Sequence, residues 1–192
     1  MQGLEQLVLA SSSQWRLAML QDAGLDVIAM APLVDEDRFS DPNPALLAEQ
    51  LAHEKAMAVF KKCPGRLVLG ADQVAHIGDE VFGKPKDPGD HLRRLQQLRG
   101  TRHDLVTGVS MLDASGEERF HVRTGIYFRD DISDEELVKY VDCGEGSGCA
   151  GGYRIEGRGA WLIDRVDGDW FNVVGLPLLE VVGRLRRKGW RF

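Results

Sequence analysis

The sequence predicts a mixed α/β fold, in which a twisted mixed sheet is flanked by helices and a middle segment forms a second lobe across a cleft. Short apolar runs typical of buried strands alternate along the chain with longer segments of helical periodicity. Two strand-like segments near the middle are joined by the turn Asp113-Ala114-Ser115-Gly116, which indicates an antiparallel pair. A chain of 192 residues is long enough to bury a substantial core. We therefore expect a single domain over residues 1–192.

The elements of the first half are predicted from their apolar patterns and from the residues at their ends. Pro32 ends the second strand, Pro64-Gly65 ends the second helix, and Gly100 ends the third helix. The run 67–70 is continuously apolar, so it is expected to be a central strand that carries Asp72 at its carboxyl end. The predicted strands are residues 7–10, 27–30, 67–70 and 81–82, and the predicted helices are residues 14–23, 45–61 and 88–98.

The second half is predicted in the same way. Ser133 and Glu136 have the spacing of a capping box, which indicates a helix that begins after Ser133 and runs to about residue 141. A glycine-rich stretch follows at residues 144–159. The predicted strands are residues 105–112, 119–128 and 160–166, and a closing helix with a basic end is predicted at residues 176–188.

Composition and charge exclude several classes of protein. The formal net charge of −6 disfavours a general nucleic-acid binder, which needs an excess of Lys and Arg. No apolar run approaches the ~20 residues that cross a bilayer, and no signal peptide is evident. The three cysteines have neither the even count of a disulfide framework nor the spacing of a zinc site. We expect a cytoplasmic protein without nucleic-acid or membrane partners; a homodimer stays open.

Residues 7–16, Leu-Val-Leu-Ala-Ser-Ser-Ser-Gln-Trp-Arg, are the most informative stretch. They predict a strand, a polar turn and the start of a helix. This geometry presents unpaired backbone N–H groups to a phosphate. A phosphate site does not need an indole. Trp15 therefore suggests that a flat group, and a candidate cation, lies beside the phosphates.

Acidic and basic side chains supply further candidates. Asp72 is expected at a sheet edge where α/β proteins place their ligands, and Glu36 follows an earlier strand. Two such carboxylates suit Mg²⁺, which takes its remaining ligands from phosphate oxygens and water. Lys84 lies in a tight turn after a short strand, whereas helical periodicity alone predicts that Lys55 faces the solvent.

Two other patterns are interpreted as structural. The Gly-x-Gly-x-x-Gly of residues 146–151 follows a predicted helix end rather than a strand, so we interpret it as a loop and not as a dinucleotide site. No Walker A sequence occurs, so no P-loop holds a nucleotide. His103 has no partner at metal-ligand spacing and is expected to have a structural or surface role.

Together these segments resemble the Maf family of nucleoside triphosphate pyrophosphatases, nearly from end to end. The family usually has Pro where this chain has Gln14, a replacement that the first turn of a helix tolerates at small cost. The matching blocks are Leu9-Ala10-Ser11-Ser12-Ser13-Gln14-Trp15-Arg16, Val34-Asp35-Glu36, Glu54-Lys55-Ala56, Gly70-Ala71-Asp72, Lys84-Pro85, Gly100-Thr101-Arg102-His103, Thr107-Gly108-Val109, Ala150-Gly151-Gly152-Tyr153, Gly157-Arg158-Gly159 and residues 173–177.

The resemblance implies a Maf/ITPase-like fold with two lobes around a central nucleotide-binding cleft. It implies hydrolysis between the α- and β-phosphates, which releases a nucleoside monophosphate and pyrophosphate and requires a divalent cation, Mg²⁺ or Mn²⁺. Asp72 would be the base that activates water, Glu36 would help to orient that water, and both would be metal ligands. The residues implied in phosphate binding are Ser11, Ser13, Arg16, Lys55 and Lys84.

The resemblance also bears on the base. Trp15, Gln73 and Glu156 resemble the subgroup that hydrolyses 7-methyl-GTP, whereas the subgroup acting on dTTP and UTP typically has Arg, Thr and Gln. N7-methylation makes guanine a cation, which an indole face and a carboxylate bind well. The predicted function is therefore a house-cleaning 7-methyl-GTP pyrophosphatase. The alternatives are a dTTP/UTP pyrophosphatase, or a cell-division inhibitor that acts through protein interaction.

Overall fold

The computed structural model describes residues 6–192 and confirms the predicted mixed α/β fold, a central mixed sheet with helices on both faces. The strands are β1 (Leu7–Ala10), β2 (Val27–Ala29), β3 (Val68–Ile77), β4 (Glu80–Phe82), β5 (Arg102–Asp113), β6 (Gly116–Phe128) and β7 (Ile163–Asp167). The helices are α1 (Gln14–Asp22), α2 (Pro44–Phe60), α3 (Pro88–Leu98), α4 (Asp134–Asp142), α5 (Trp170–Val174) and α6 (Leu178–Arg187). No helix within the described residues is long and apolar enough to cross a membrane.

The seven strands form one sheet in the order β2-β1-β3-β5-β6-β7, with β4 paired to β3. Strand β1 runs parallel to both β2 and β3, whereas the pairs β3–β4, β3–β5, β5–β6 and β6–β7 are antiparallel. The parallel strands therefore lie at one end of the sheet. The long strands β3, β5 and β6 and the short strands β4 and β7 form the antiparallel remainder.

Side chains alternate across the sheet and divide the core between its two faces. On one face, β3 and β5 pack against α2 through residues such as Val74 and Val106. On the other face, Leu69 and neighbouring residues pack with α1 and α6, while Ala75 belongs to a separate cluster with α3 and α4. Two hydrophobic clusters therefore lie side by side on that second face, and the part of β3 around Gln73 lies between them.

Helix α2 approaches the sheet unusually closely because two strand positions are glycine. A Cβ added at Gly70 would lie 2.2 Å from the backbone oxygen of Ala52, and one added at Gly108 would lie 2.2 Å from the backbone of Ala48. Backbone thus packs directly on backbone, with alanines on the helix and glycines on the sheet.

One edge of β3 is covered by two different strands with a gap between them. The β1 pairing ends at Ala10 and Gly70, and the β4 pairing begins where Ala75 faces Phe82. Within the described residues, positions 71–74 therefore have no strand partner on this edge. Their backbone groups must find other partners or face the solvent.

The structure corrects three element predictions. Strand β3 extends to Ile77 because β5 continues to pair with it, so Asp72 lies inside the strand rather than at its carboxyl end. The strand predicted over residues 160–166 starts only at Ile163, after a 3-10 turn (Arg158–Leu162). The closing helix does not start at Leu176 but at Leu178, and it is preceded by the separate α5, which ends at Gly175 with φ 125°.

Other local predictions are confirmed. The Ser133 side chain accepts a hydrogen bond from the backbone of Glu136, whose own carboxylate accepts one from the backbone of Ser133, so the capping box is complete. Residues 143–157 consist of turns and a short 3-10 turn (Ala150–Gly152), which confirms the loop interpretation of the glycine pattern. His103 is structural: it is buried, Nε2 lies 2.7 Å from the Tyr153 hydroxyl, and the ring contacts Phe128 edge to face.

Replacing Gly108 with alanine should destabilise the fold. The new Cβ would collide with the α2 backbone at Ala48, which cannot move without displacing the helix, so we expect a loss of roughly 1–3 kcal/mol in the free energy of unfolding. Urea unfolding measures this loss. Gly148→Ala is the matched control, because nothing lies within 4 Å of its added Cβ. Equal midpoints for the two variants would contradict the close approach of α2.

His103 should make stability depend on pH. Burial lowers its pKa from 6.5 to about 3, so between these values the unfolded chain binds a proton that the folded protein does not. The contribution of the neutral His103 to the free energy of unfolding is fully present above pH 6.5. It is lost as the pH falls toward 3, with a slope of up to about 1.4 kcal/mol per pH unit. His103→Gln should flatten the measured slope between pH 6.5 and 5. His121→Gln, on an exposed side chain, is the control, and an equal flattening there would contradict the assignment.

Candidate active site

Three charged side chains lie close together beside residues 71–74 of β3, where this strand has no strand partner on one side among the described residues. The ammonium nitrogen of Lys55 on α2 lies 2.5 Å from Oδ1 of Asp72 on β3 and 2.8 Å from Oε1 of Glu36. Lys55 and Asp72 are each only 8% exposed, whereas the Glu36 side chain is 53% exposed at the start of a 3-10 turn (Glu36–Arg38). The three groups thus form a cluster that is buried at one end and open to solvent at the other.

Helical periodicity alone predicted that Lys55 faces the solvent, and this is wrong. A buried ammonium needs a nearby opposite charge, and here two carboxylates supply it. The close contact of α2 with Gly70 brings Lys55 to the level of Asp72 on the same face of β3. Helical periodicity carries no sign of this burial, because both partners of Lys55 lie on other elements.

Arg16 adds a second cation to this cluster and also closes the sheet edge. Its Nη1 donates to the carbonyl oxygen of Ala71 at 2.8 Å, and its Nε donates to that of Gly175 at 2.7 Å. Burial lowers the pKa of Arg16 and the charges of Asp72 and Glu36 oppose this shift, but a guanidinium stays charged at neutral pH. Two anions and two cations therefore share the site.

The start of α1 lies beside Arg16 and is built from serines. The backbone N–H of Ser13 donates to Oγ of the buried Ser11 at 3.0 Å, and Oγ of Ser13 accepts from the backbone N–H of Arg16. The N-terminal end of a helix attracts anions through its dipole and its free N–H groups. The structure thus combines a helix start with two cations, as a polyanionic ligand requires.

Gln73 faces away from Asp72, on the other side of β3. Its Nε2 donates to the carbonyl oxygen of Asn172 at 2.6 Å and to Oγ1 of Thr107 at 3.1 Å. The buried Asn172 side chain donates in turn to the carbonyl oxygens of Leu105 and Val122, which fixes α5 on the sheet. Helix α5 thereby holds Gln73, and through Gly175 it also holds Arg16.

Trp15 and Glu156 are joined by a residue that sequence reasoning missed, Arg154. The guanidinium carbon of Arg154 lies 3.9 Å from the centre of the Trp15 ring, and its Nε donates to Oε1 of Glu156 at 2.8 Å. The signal available in the sequence was the alternation of Arg154 and Glu156 around the buried Ile155. This pattern places both side chains on one side of the segment.

Lys84 stands apart from the other predicted phosphate ligands. It is exposed in the bend after β4, and no ion pair involves it within the described residues. Burial raises the pKa of Cys149 in the glycine-rich loop, and Arg154 and Lys84 oppose this shift through their positive charges. Lys84 therefore lies near that loop.

The donor set fits a hard divalent cation in part. Glu36 and Asp72 each offer a carboxylate oxygen, and both oxygens contact the ammonium nitrogen of Lys55. Within residues 6–192, no group of three or more His, Cys, Asp or Glu side chains has the arrangement of a metal site. Mg²⁺ and Mn²⁺ are often held by only one or two protein carboxylates, together with substrate phosphates and water.

Comparison with known proteins places these residues in a family context. The model of the Maf family, described as Maf-like protein, matches residues 6–188. A dTTP/UTP pyrophosphatase of Geobacillus sp. (strain WCH70) is 38% identical over 97% of this chain and 100% of the relative. A dTTP/UTP pyrophosphatase of Symbiobacterium thermophilum is 40% identical over 97% of this chain and 96% of the relative.

One solved structure, that of the Staphylococcus aureus Ham1 protein, aligns with 66% of this chain and 73% of its own. The TM-score of this alignment is 0.42 and the sequence identity is 16%.

Proposed function

The chain belongs to the Maf family, and on that premise we propose that it is a nucleotide pyrophosphatase. The reaction is attack by water on a nucleoside triphosphate, which breaks the bond between the α-phosphorus and the bridging oxygen and releases a nucleoside monophosphate and pyrophosphate. The observation that carries this proposal is the cluster of Lys55, Asp72 and Glu36 next to Arg16 and the start of α1. The names of the relatives agree with it.

Each residue of the cluster has a separate role in the proposed reaction. Asp72 accepts the proton of the attacking water, and Glu36 helps to orient that water. Lys55 and Arg16 offset the negative charge of the triphosphate, which matters because catalysis of phosphoryl transfer depends mainly on positioning and electrostatic stabilisation. Ser11 and Ser13 bind phosphate oxygens at the start of α1. Lys84 reaches the pyrophosphate from the opposite side.

A divalent cation would be held by Glu36 and Asp72. When bound, such an ion neutralises charge on the phosphate oxygens and orients them. Lys55 contacts both carboxylates in this structure, so it keeps the two anions together and limits their mutual repulsion. The protein thus holds the metal ligands in place through a residue of its own.

For the base, we propose a pyrimidine, as in dTTP and UTP. The relatives are named dTTP/UTP pyrophosphatases, which favours this alternative over the 7-methyl-GTP predicted from the sequence. The contacts of the three specificity positions agree: Arg154 covers a face of Trp15 and engages Glu156, and Gln73 is bound to Asn172. Each of these three side chains already has a partner within the protein, with which a methylated guanine would have to compete.

A second candidate, 7-methyl-GTP, is favoured by one observation. Trp15 binds a flat cation on its face in this structure, and Glu156 neutralises that cation, although the cation belongs to Arg154. This is the chemistry that a methylated guanine requires. The non-enzymatic alternative, restraint of cell division through protein interaction, stays a prediction.

A substrate panel tests the choice of base. With the purified protein and Mg²⁺ or Mn²⁺, we expect kcat/KM for dTTP and UTP to exceed that for GTP and 7-methyl-GTP by about tenfold or more, an amount that a few base contacts can supply. Release of pyrophosphate and of the monophosphate is measured for each nucleotide. A preference for 7-methyl-GTP would establish the second candidate instead, and no pyrophosphate release from any nucleotide would refute the activity itself.

Asp72→Asn tests the catalytic assignment. The amide keeps the size of the side chain but cannot accept a proton, so we expect kcat to fall by roughly 10²–10⁴-fold. Asp164→Asn is the matched control, since Asp164 is exposed on β7 and should tolerate the change. Circular dichroism verifies that both variants are folded. Retention of most of the activity by Asp72→Asn would remove Asp72 as the base.

A further inference from the structure

Arg154 lies between an aromatic ring and a carboxylate that come from distant parts of the chain. Trp15 is in the first turn of α1, and Glu156 is in the turn at residues 155–157, near the end of the glycine-rich stretch. The guanidinium stacks at 3.9 Å from the indole centre and forms a 2.8 Å ion pair with Glu156. Trp15 remains 39% exposed, so the assembly lies at the surface of the site rather than in the core.

Trp15 and Glu156 together form a receptor for a flat cation that can donate hydrogen bonds. The indole face attracts positive charge, and the carboxylate accepts from N–H groups at the edge of the cation. A guanidinium has these properties because it is planar, delocalised and rich in N–H donors. A 7-methylguanine base has the same properties, since it is a planar, delocalised cation with donors at N1 and at its exocyclic amine. Arg154 and a methylated guanine would therefore compete for one place.

We propose that Arg154 is a specificity-determining residue, whose guanidinium fills the Trp15–Glu156 receptor and excludes flat cationic bases from it. This inference rests on the proposed function for its biological meaning, but the competition itself is a binding property of the chain. A neutral pyrimidine has no positive charge with which to displace the guanidinium. It therefore binds while the Trp15–Arg154–Glu156 stack stays intact.

The charge balance supports this competition. A methylated guanine that entered with Arg154 in place would put a second cation beside Glu156, the carboxylate that already pairs with Arg154, and would have to share the ring face. Hydrogen bonding and attraction to Glu156 raise the pKa of Arg154, so this group is charged whenever the enzyme works. Removal of the guanidinium leaves the indole and the carboxylate available together.

The experiment measures affinity for 7-methyl-GMP and for GMP by calorimetry, in the unmodified protein and in Arg154→Ala and Arg154→Met. We expect each substitution to lower the dissociation constant of 7-methyl-GMP by about tenfold, the amount that a desolvated cation–π contact and a freed carboxylate can supply. The dissociation constant of GMP should change less than twofold. No gain for 7-methyl-GMP in the folded variants, or an equal gain for both ligands, would overturn the proposal.

Two further variants separate competition from a general opening of the site. Trp15→Ala combined with Arg154→Ala should lose the gain, because the receptor then lacks its aromatic face. Arg165→Ala is the matched control, since Arg165 stacks on Tyr127 at 3.8 Å in another part of the sheet, and it should leave both affinities unchanged. A gain that persists without Trp15, or a similar gain in Arg165→Ala, would contradict the role of the receptor.

Hydrolysis gives a second readout that is independent of ligand affinity. In Arg154→Ala, the ratio of kcat/KM for 7-methyl-GTP to that for UTP should rise by about tenfold. If the unmodified protein hydrolyses no nucleotide, the proposed function fails, yet the calorimetric comparison still decides whether Arg154 blocks the receptor. A ratio that does not change in an active, folded variant would overturn the proposal even if the activity is established.

Discussion

The contact of α2 with the sheet is the constraint on which the site depends. Gly70 and Gly108 remove the side chains that would hold the helix away, and the small residues Ala48 and Ala52 face them. Because the helix lies so close, Lys55 reaches Asp72 below the surface and is buried with it. A larger residue at either glycine would move the helix outward and separate the ammonium from the carboxylate. Backbone packing thus sets the distance between the two charged groups.

The gap in the edge of β3 is the second determinant of the site. Strand β1 ends opposite Gly70 so that the chain can turn into α1, and this turn brings Arg16 to the carbonyl oxygen of Ala71. The same guanidinium donates to the carbonyl oxygen of Gly175, the residue that directly follows α5, so one side chain joins the start of α1 to the middle of the sheet and to the C-terminal part of the chain. An unpaired strand edge, which is usually a liability, becomes the place where helix start, cations and carboxylates meet.

The sequence predicted what depends on neighbouring residues and missed what depends on distant ones. Apolar periodicity and capping residues located the strands and helices, because these signals act within a few positions, as at Ser133. The length of β3 was missed since it is set by pairing with β5. The burial of Lys55 was missed because its two partners come from other elements. Family resemblance recovered the positions of Lys55 and Asp72, but not the contacts between them.

The three specificity positions show why residue types alone do not identify a ligand. Trp15 and Glu156 have the chemistry of a receptor for a cationic base, and the sequence prediction followed from this. The prediction omitted Arg154, which stands two residues before Glu156 and supplies such a cation from within the chain. Under the proposal made for Arg154, a receptor that is filled by its own protein favours ligands that do not bind to it. The same aromatic ring and carboxylate can therefore select for a methylated guanine or against it, depending on whether a third residue occupies the space between them.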